Sequence, residues 1–398
     1  MRIIIITDQI PPLHYGGMAQ HAFHISRLLS IKHNVLLITP KHSSISNYKY
    51  PFRVLPILSI SSPRFDNIKI LYQSLKFNPD SIHVCCAGMS NSLLSYLFPV
   101  TIRVVGNDFN RPWVGSGLIG RKIIFKFSPN FLEPKFKKLE LKIRKKHALN
   151  QLKKCKNILA NSDWTKNQLI KKGIEKNKIF KIVGGLNIEV FNTKKDKKNI
   201  RKLLGISDSD FVVTTACNLV GKKGIDTAIK SLAIVLEKYK NIKYFIIGNG
   251  NRYDYLLNLV NTLNISENVI FMPAISQEKL AEYFRISDLF VQVSRNFKQK
   301  NGEIDVETMG RTYFEAGACG VPVIGSNIGG IPSVVKNGIN GFLVNDPYSV
   351  DELSGIIINL YENEELRNYI AENGIKYAYE KFSWEIISKK IEEILDER

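Results

Sequence analysis

Short runs of apolar, mostly β-branched residues alternate with helical patterns along almost the whole chain. This alternation is typical of parallel sheets that are covered by helices on both faces. The predicted strands are RIIIIT, NVLLIT, SIHVCC, TIRVVG and NILANS in the first half, and FVVTTAC, KYFIIG, VIFMPA, LFVQVS, VPVIGS and GFLV in the second. The pattern therefore predicts an α/β protein with two doubly wound sheets.

The break between the halves is predicted at IVGGLNIEVFNTKKDKKN, where Gly184 and Gly185 follow a strand and a charged segment interrupts the apolar pattern. We predict a first domain over 1–188, a second over 189–376, and a terminal helix over 377–398 that returns to the first domain. Open α/β sheets bind ligands at the carboxyl ends of their strands. Two such sheets that face each other would leave a cleft for a ligand.

Charge is distributed unequally along the 398 residues, whose formal net charge is +20. Up to residue 185 there are 30 Lys and Arg against 8 Asp and Glu, and beyond it 26 against 28, which gives +22 and −2. A composition rich in Lys, Ile and Asn explains part of the excess, but that bias would act on both halves. The first half is therefore expected to meet an anionic partner: nucleic acid, an anionic membrane surface or an acidic substrate.

One helical stretch, 134–156, carries much of this positive charge. It is either an ordinary solvated helix face or a strip that rests on anionic lipid headgroups. Its opposite side is predicted to be apolar, with Leu139, Leu141, Ile143, Ala148 and Leu152. Aromatic residues for base stacking do not interleave with the lysines, so nucleic acid is not the expected partner.

The cysteines and the hydropathy pattern indicate a cytoplasmic protein. The five cysteines form no CxxC pair and no zinc-ligand pattern, which is typical of a reduced compartment. The opening MRIIIITD is too short for a signal peptide, and no apolar run is long enough to span a bilayer. Any membrane contact is therefore expected at the surface.

Two glutamates eight residues apart, Glu307 and Glu315, lie in VETMGRTYFEAGACGVPVIG. Gly310 argues against one continuous helix, so we expect Glu307 on a loop and Glu315 in the first turns of a helix. Gly310, Arg311 and Thr312 would then present N–H groups at a helix N-terminus, which suits a phosphate. Carboxylates beside a phosphate suit the hydroxyls of a sugar and a ribose. The alternative is a solvated loop acid and a helix-face acid.

This segment, with the following GACGVPVIGSNIGGIPSVVKNGINGFLV, resembles the signature of glycosyltransferase family 4, the retaining nucleotide-sugar transferases of GT-B fold. Other segments are similar to the family in the same order: DQIPPLHYGGMAQHAFHISRLL, ILANSDWTKNQLI, KIVGGLNIEVF, NLVGKKGIDTAI, FIIGNG and ISDLFVQVS. The resemblance covers nearly the whole chain. It implies two Rossmann-like domains that face each other across a cleft.

The resemblance assigns donor binding to the residues at the matching positions. These are Gly16, Gly17, Asn218, Lys223, Glu307, Gly310, Arg311, Thr312 and Glu315. It implies that Glu307 meets hydroxyls of the donor sugar, that Glu315 meets the ribose, and that Lys223 neutralises the diphosphate. Glu307 and Lys223 are the predicted catalytic residues, because a departing nucleoside diphosphate needs cations and N–H dipoles where its charge grows.

Two positions depart from the family pattern. Asn218 stands where the family usually has an arginine, so some stabilisation of the leaving group is either missing or supplied by Lys222 or Arg311. Val105 stands where the family often has a histidine that faces the donor sugar, so either Asp108 or Asn107 does related work or that contact is absent. Asp108 is also a candidate on the acceptor side.

The metal-like patterns of the chain are not predicted to bind metal. His21 and His24 are three residues apart on the first helix without a third ligand nearby in the sequence, so we expect one cleft residue and one packed residue. His21 is a candidate to face the acceptor. Asp208 and Asp210 form a DxD pattern, but they stand in a polar turn before a strand, where capping explains them. No metal and no cofactor are predicted.

The predicted function is retaining transfer of a hexose from a nucleoside diphosphate sugar to a hydroxyl of a saccharide or lipid-linked acceptor. The expected setting is bacterial cell-surface polysaccharide or glycolipid synthesis at the inner face of the cytoplasmic membrane. The alternative is a catalytically weakened homologue, marked by Asn218 and Val105, that acts as a nucleotide-sugar sensor or partner subunit.

Overall fold

The protein forms two compact units, which consist of Met1–Gly184 with Trp384–Arg398, and of Gly185–Ser383. The predicted boundary was at residue 188. The structure is a computed structural model, and it describes residues 1–59, 63–89, 92–106, 133–194, 197–298 and 304–397.

The first unit contains a parallel sheet of seven strands in the order β3-β2-β1-β4-β5-β6-β7. The strands are β1 (Arg2–Ile6), β2 (Asn34–Pro40), β3 (Arg53–Leu58), β4 (Ser81–Val84), β5 (Val100–Val104), β6 (Asn157–Ala160) and β7 (Ile179–Lys181). Five of them coincide with predicted runs. The edge strand β3 was not predicted, because Pro56 interrupts it. The strand expected before Gly184 and Gly185 is β7, which has only three residues.

Helices cover both faces of this sheet. They are α1 (Gly17–Leu29), α2 (Ser43–Ser46), α3 (Pro63–Phe77), α4 (Ser92–Leu97), α5 (Glu133–Lys154), α6 (Asp163–Lys171) and, from the end of the chain, α14 (Trp384–Asp396). One core contains Ile70, Leu94 and Leu152 from the helices α3, α4 and α5. The other contains Ile25 of α1 and Ile387 of α14, so the terminal helix belongs to the first unit.

Two details of the helices differ from the prediction. The terminal helix begins at Trp384 rather than at residue 377, because the preceding helix continues to Phe382. On α5, Ala148 and Leu152 are buried as expected, but Ile143 is exposed. The exposed side of α5 therefore carries an apolar residue among its lysines.

The second unit contains a parallel sheet of six strands in the order β10-β9-β8-β11-β14-β15. The strands are β8 (Phe211–Ala216), β9 (Ile242–Ile247), β10 (Val269–Met272), β11 (Leu289–Val291), β14 (Val323–Ser326) and β15 (Gly341–Val344). All six coincide with predicted runs. A short antiparallel pair that was not predicted, β12 (Phe297–Lys298) with β13 (Ile304–Asp305), follows β11.

Most helices of the second unit bury an apolar face. The helices are α7 (Lys197–Leu203), α8 (Ile225–Lys238), α9 (Tyr253–Thr262), α10 (Gln277–Ile286), α11 (Arg311–Ala318), α12 (Val350–Glu362) and α13 (Glu364–Phe382). On α8, for example, Ile225, Ile229, Leu232 and Leu236 are buried at helical spacing. Full burial of each such side chain contributes about 1.5–3 kcal/mol.

Membrane-spanning helices were sought among the residues that the structure describes. None of those helices combines the length and the apolar character that crossing a bilayer requires.

Candidate functional site

The candidate site of the second unit lies where the strand order of its sheet reverses. β8 is hydrogen-bonded to β9 on one side and to β11 on the other. The chain therefore runs from β8 toward one edge of the sheet, and from β11 toward the other edge. Loops that follow such strands diverge and leave room for a ligand at the carboxyl end of the sheet. The loop after β8 carries Asn218, which is exposed, and the short helical turn Gly221–Lys223.

Lys223 and Glu307 form an ion pair in this region. The Lys223 Nζ lies 2.5 Å from the Glu307 Oε2, and the side chains are only 14% and 13% exposed. Burial alone would lower the pKa of Lys223, but the charge and the hydrogen bond of Glu307 raise it above its usual value. The ammonium group therefore stays charged at neutral pH, and it fixes the direction of the carboxylate.

A second ion pair joins the same two segments of the chain. The Lys222 Nζ is 3.2 Å from the Asp305 Oδ1, and each side chain is 23% exposed. The consecutive residues Lys222 and Lys223 thus bind Asp305 and Glu307, two carboxylates that are two residues apart on one segment. This double contact holds the segment that contains Glu307 against the loop after β8.

A buried arginine connects the loops after β8 and β11. Arg295 binds both carboxylate oxygens of Asp226, at 2.6 and 2.7 Å, and its Nε donates to the Gly221 carbonyl at 3.0 Å. Its backbone N–H donates to the Lys222 carbonyl at 2.8 Å. Both contacts to Asp226 come from the Nη2 of Arg295, while its Nε binds Gly221, so the guanidinium is held from two sides. Arg295 therefore positions the turn that carries Lys222 and Lys223, a role that the sequence did not reveal.

Gly224 allows this turn to pass close to the chain that follows the strand β11. Its φ is +67°, and a Cβ there would lie 1.9 Å from the Val293 carbonyl oxygen. We expect Gly224→Ala to destabilise the protein by about 2–5 kcal/mol, because left-handed strain adds to overpacking. Urea unfolding followed by circular dichroism measures the change.

Gly338→Ala is the matched control, because Gly338 has a similar φ of +71° and no atom within 4 Å of its added Cβ. It should cost only the left-handed strain, about 1–2 kcal/mol. Equal destabilisation by the two variants would contradict the close packing of the turn.

The helix α11 begins at Arg311, four residues beyond Glu307. Gly310 precedes the helix with a φ of +86°, and a Cβ there would lie 2.5 Å from the Tyr313 ring. Among the described residues, no side chain caps this end of the helix. The first N–H groups of a helix have no partner within it, so they suit an anionic ligand.

Arg311 and Glu315 form an ion pair on the first turns of α11. The Arg311 Nη2 lies 2.8 Å from the Glu315 Oε1, and the Glu315 side chain is 6% exposed. The Thr312 Oγ1 lies 3.5 Å from the Gln292 Oε1, and the Tyr313 hydroxyl donates to the Gln292 carbonyl. The helix is therefore fixed to the chain after β11 by its own side chains.

The structure thus brings most predicted donor-binding residues together in one unit. Lys223 contacts Glu307, and Arg311 contacts Glu315. Gly16 and Gly17 belong to the first unit, where Gly16 precedes α1 and is exposed. Their predicted role stays a prediction.

The acceptor-side candidates do not form a site in the described part of the first unit. His21 is 1% exposed, and its Nε2 lies 2.9 Å from the Nε2 of His83 in β4, so it presents no surface to an acceptor. The prediction that it faces the acceptor differs from the structure, because His83 is aimed at it from the sheet. Val105 is half-buried after β5, and Asp108 lies outside the described residues.

His21, His83 and Cys85 form one buried group whose potential metal-binding atoms lie within 4.8 Å of one another. Burial, and then the charge of Arg103, lower the pKa of His21 well below its usual value and that of His83 to about 3. Burial raises the pKa of the Cys85 thiol to about 12. The group is therefore a neutral cluster beside a cationic guanidinium.

Asp208 and Asp210, the DxD pattern, lie in a turn that hydrogen bonds stabilise. The Asp210 Oδ2 accepts from the Ser207 N–H at 2.9 Å, which is the capping role expected of it. The Arg201 guanidinium donates to the carbonyls of Ser207, Asp208 and Asp210.

Two family models match the chain in succession. The model described as glycosyltransferase family 4 matches residues 15–190, and the model described as glycosyl transferases group 1 matches residues 196–377. Each model corresponds to one of the two units.

Characterised relatives resemble about half of the chain. A GDP-mannose-dependent monoacylated alpha-(1-6)-phosphatidylinositol monomannoside mannosyltransferase of Corynebacterium glutamicum is 32% identical over 213 residues, which cover 53% of this chain and 54% of that protein. The N-acetyl-alpha-D-glucosaminyl L-malate synthase of Bacillus anthracis is 30% identical over 50% of this chain and 49% of that protein. The chain therefore spans about half the length of these curated relatives.

Solved structures resemble the whole chain. The crystal structure of Anabaena HepE in complex with UDP-glucose covers 100% of both chains with a TM-score of 0.74 and 20% identity. At this identity the likeness shows the fold.

Proposed function

Because the chain belongs to the family 4 type of glycosyltransferases and has the GT-B fold, we propose that it is a retaining hexosyltransferase. Its donor is a nucleoside diphosphate sugar, and its acceptor is a hydroxyl of a saccharide or of a lipid-linked saccharide. The observation that carries this proposal is the ion pair of Lys223 and Glu307, whose side-chain atoms are 2.5 Å apart. Glu307 precedes the helix α11, whose N-terminus has no side-chain cap among the described residues.

The cations of the site suit a leaving nucleoside diphosphate. Negative charge grows on the diphosphate as its bond to the sugar breaks, and preformed cations and N–H dipoles stabilise that charge most. Lys223 and the N-terminus of α11 supply both. Asn218 brings no charge, so Arg311, on the first turn of α11, and Lys222 supply the additional cations.

The two carboxylates suit sugar hydroxyls. Glu307 and Glu315 are each held by a cation at hydrogen-bond distance. A carboxylate whose direction is already fixed binds a hydroxyl at a smaller entropic cost. We assign Glu307 to the donor sugar and Glu315 to the ribose.

The reaction needs no nucleophile from the protein. The acceptor oxygen bonds to the anomeric carbon on the face from which the diphosphate leaves, so the configuration is retained. The bond between that carbon and the phosphate oxygen breaks, and a phosphate oxygen takes the proton of the acceptor hydroxyl. The protein orients the sugar and stabilises the leaving group, with no metal ion.

A thermal-shift screen against UDP, GDP, ADP and their sugars tests the proposal. HepE was solved with UDP-glucose, and the mannosyltransferase relatives are GDP-mannose-dependent, so UDP and GDP are the first candidates. We expect one nucleotide at about 100 times its dissociation constant to add about 2.7 kcal/mol of stability.

Two controls accompany the screen. Lys238→Ala, which removes an ion pair on the exposed surface of α8, should leave the shift unchanged. EDTA should change neither the shift nor the transfer rate, and loss of transfer in EDTA would overturn the metal-free reaction. Absence of a shift with every nucleotide would overturn the donor class.

A second candidate function is nucleotide-sugar sensing without transfer. The uncharged Asn218 at the end of β8 favours it, because this loop lacks the usual arginine. Binding of a donor without transfer or hydrolysis, over a wide panel of acceptors, would support the sensor.

We place the acceptor at the inner face of a bacterial cytoplasmic membrane, in the synthesis of surface polysaccharide or glycolipid. The excess of basic residues in the first half supports a peripheral position. On α5, Lys142 and Lys146 are exposed, as a strip of lipid-facing cations requires.

A further inference from the structure

An exposed apolar stripe runs along α3. Ile68, Tyr72 and Leu75 are 70%, 61% and 57% exposed. Their spacing of i, i+4 and i+7 places the three side chains on one side of the helix. Lone exposed apolar residues are ordinary, but a row of three at helical spacing marks a surface that meets an apolar or interfacial partner.

A second exposed apolar group lies on α4. Leu93, Tyr96 and Leu97 are 47%, 87% and 48% exposed, and they share one side of this short helix. Both groups contain a tyrosine, whose apolar ring and polar hydroxyl suit the boundary between lipid and water.

The two groups turn to the same side of the sheet. Ile70 of α3, Leu94 of α4 and Leu152 of α5 belong to one core beneath these helices. The three helices therefore cover one face of the sheet, and their exposed sides point away from it. Ile143 of α5, which is 60% exposed, adds a further apolar residue to this surface.

Positive charge surrounds the apolar residues. Lys76 of α3 and Lys142 and Lys146 of α5 are exposed. Among the side chains that the structure describes on these three helices, the only carboxylate is Asp66, which is 1% exposed and accepts from Ser59. Among the described side chains, this surface is therefore apolar and cationic, and none of them is an exposed carboxylate.

We propose that this surface, which we call the α3–α5 face, lies on an anionic lipid bilayer. The apolar side chains enter the headgroup region, and the lysines meet lipid phosphates. A second copy of the chain fits less well, because two such faces would set lysines against lysines. The inference rests on the proposed function in one respect, that a lipid-linked acceptor explains why the enzyme needs the membrane.

The experiment is vesicle co-sedimentation of the full chain. Wild type should bind vesicles that contain phosphatidylglycerol, should bind pure phosphatidylcholine weakly, and should lose part of its binding in high salt. The triple variant Ile68→Ser, Tyr72→Ser, Leu75→Ser should lower the partition coefficient by about tenfold or more. Charge reversal by Lys142→Glu with Lys146→Glu should lower it too, independently of the apolar row.

Ile31→Ser is the matched control, because Ile31 is 73% exposed and follows α1, which packs in the other core of the same unit. It should leave vesicle binding unchanged. Equal binding by wild type and the triple variant overturns the inference. So does concentration-dependent dimerisation without vesicle binding, if the triple variant abolishes it, because the partner is then a second copy.

The nucleotide-induced thermal shift separates this inference from the proposed function. A triple variant that keeps the shift is folded, so its loss of vesicle binding supports the α3–α5 face. Vesicle binding by a wild-type chain that no nucleotide stabilises would support the face and overturn the donor assignment.

Discussion

Glu307→Gln is expected to lower kcat for sugar transfer by about 100-fold or more and to leave the affinity for the nucleoside diphosphate nearly unchanged. Hydrogen bonds to a charged group contribute about 1.5–3 kcal/mol each, and in the proposed function the carboxylate accepts them from the donor sugar. The amide keeps the shape but loses the charge. Initial transfer rates and calorimetric binding of the nucleotide measure the two effects.

Asp305→Asn is the matched control for this prediction. Asp305 is also a carboxylate paired with a lysine, on the same segment as Glu307, but it is not assigned to the sugar. We expect a loss of less than about tenfold, because partly exposed ion pairs contribute little. Full activity of Glu307→Gln would contradict the assignment. Equal losses in both variants would show that the pairs only hold the segment in place.

The strands were largely predictable from the sequence because most of them are fully buried. β1, β8 and β14 have almost every residue buried, and a strand buried on both faces is a continuous apolar run. β3 is half-buried at the sheet edge and contains Pro56, so it lacks both the run and the alternation. The hydropathy pattern is therefore least reliable for predicting the strands at the edge of a sheet.

The residues of the candidate site were predictable from the sequence only where they belong to a motif of the family. Glu307 and Lys223 occupy positions that the family resemblance assigns, and the structure pairs them. The pair of Arg295 and Asp226 spans 69 residues, and both belong to residue types that a hydropathy pattern places at the surface. Only the folded chain shows that Arg295 is buried and connects two loops.

His21 shows the same limit for a single helix. Its position on α1 fits a residue at the edge of a site as well as a packed one, because the sequence pattern of one helix does not say what faces it. The partner is His83, which is 62 residues away in β4. A helix pattern predicts which side is inward, but contacts between elements depend on strand order and register.

Lys223→Ala is expected to lower kcat by about 10²–10³-fold, the usual effect of removing one preorganised group that stabilises transition-state charge. Unlike Glu307→Gln, it should also weaken binding of the nucleoside diphosphate, because the proposed contact of the ammonium with the phosphates already exists in the ground state. Lys223→Arg keeps the charge with a different shape, so we expect it to retain nucleotide binding better than alanine does. Steady-state kinetics and calorimetry with the same nucleotide test these expectations.

Lys222→Ala is the neighbouring control, and its loss should be smaller because its partner is Asp305. Combining Lys223→Ala with Glu307→Gln should cost less than the product of the single losses, because the two side chains act through a shared contact. Independent, multiplicative losses, together with unchanged nucleotide affinity in Lys223→Ala, would refute the role of the pair. In that case the charge of the leaving group would have to be stabilised by the N-terminus of α11 and by Arg311, which stands at its first position.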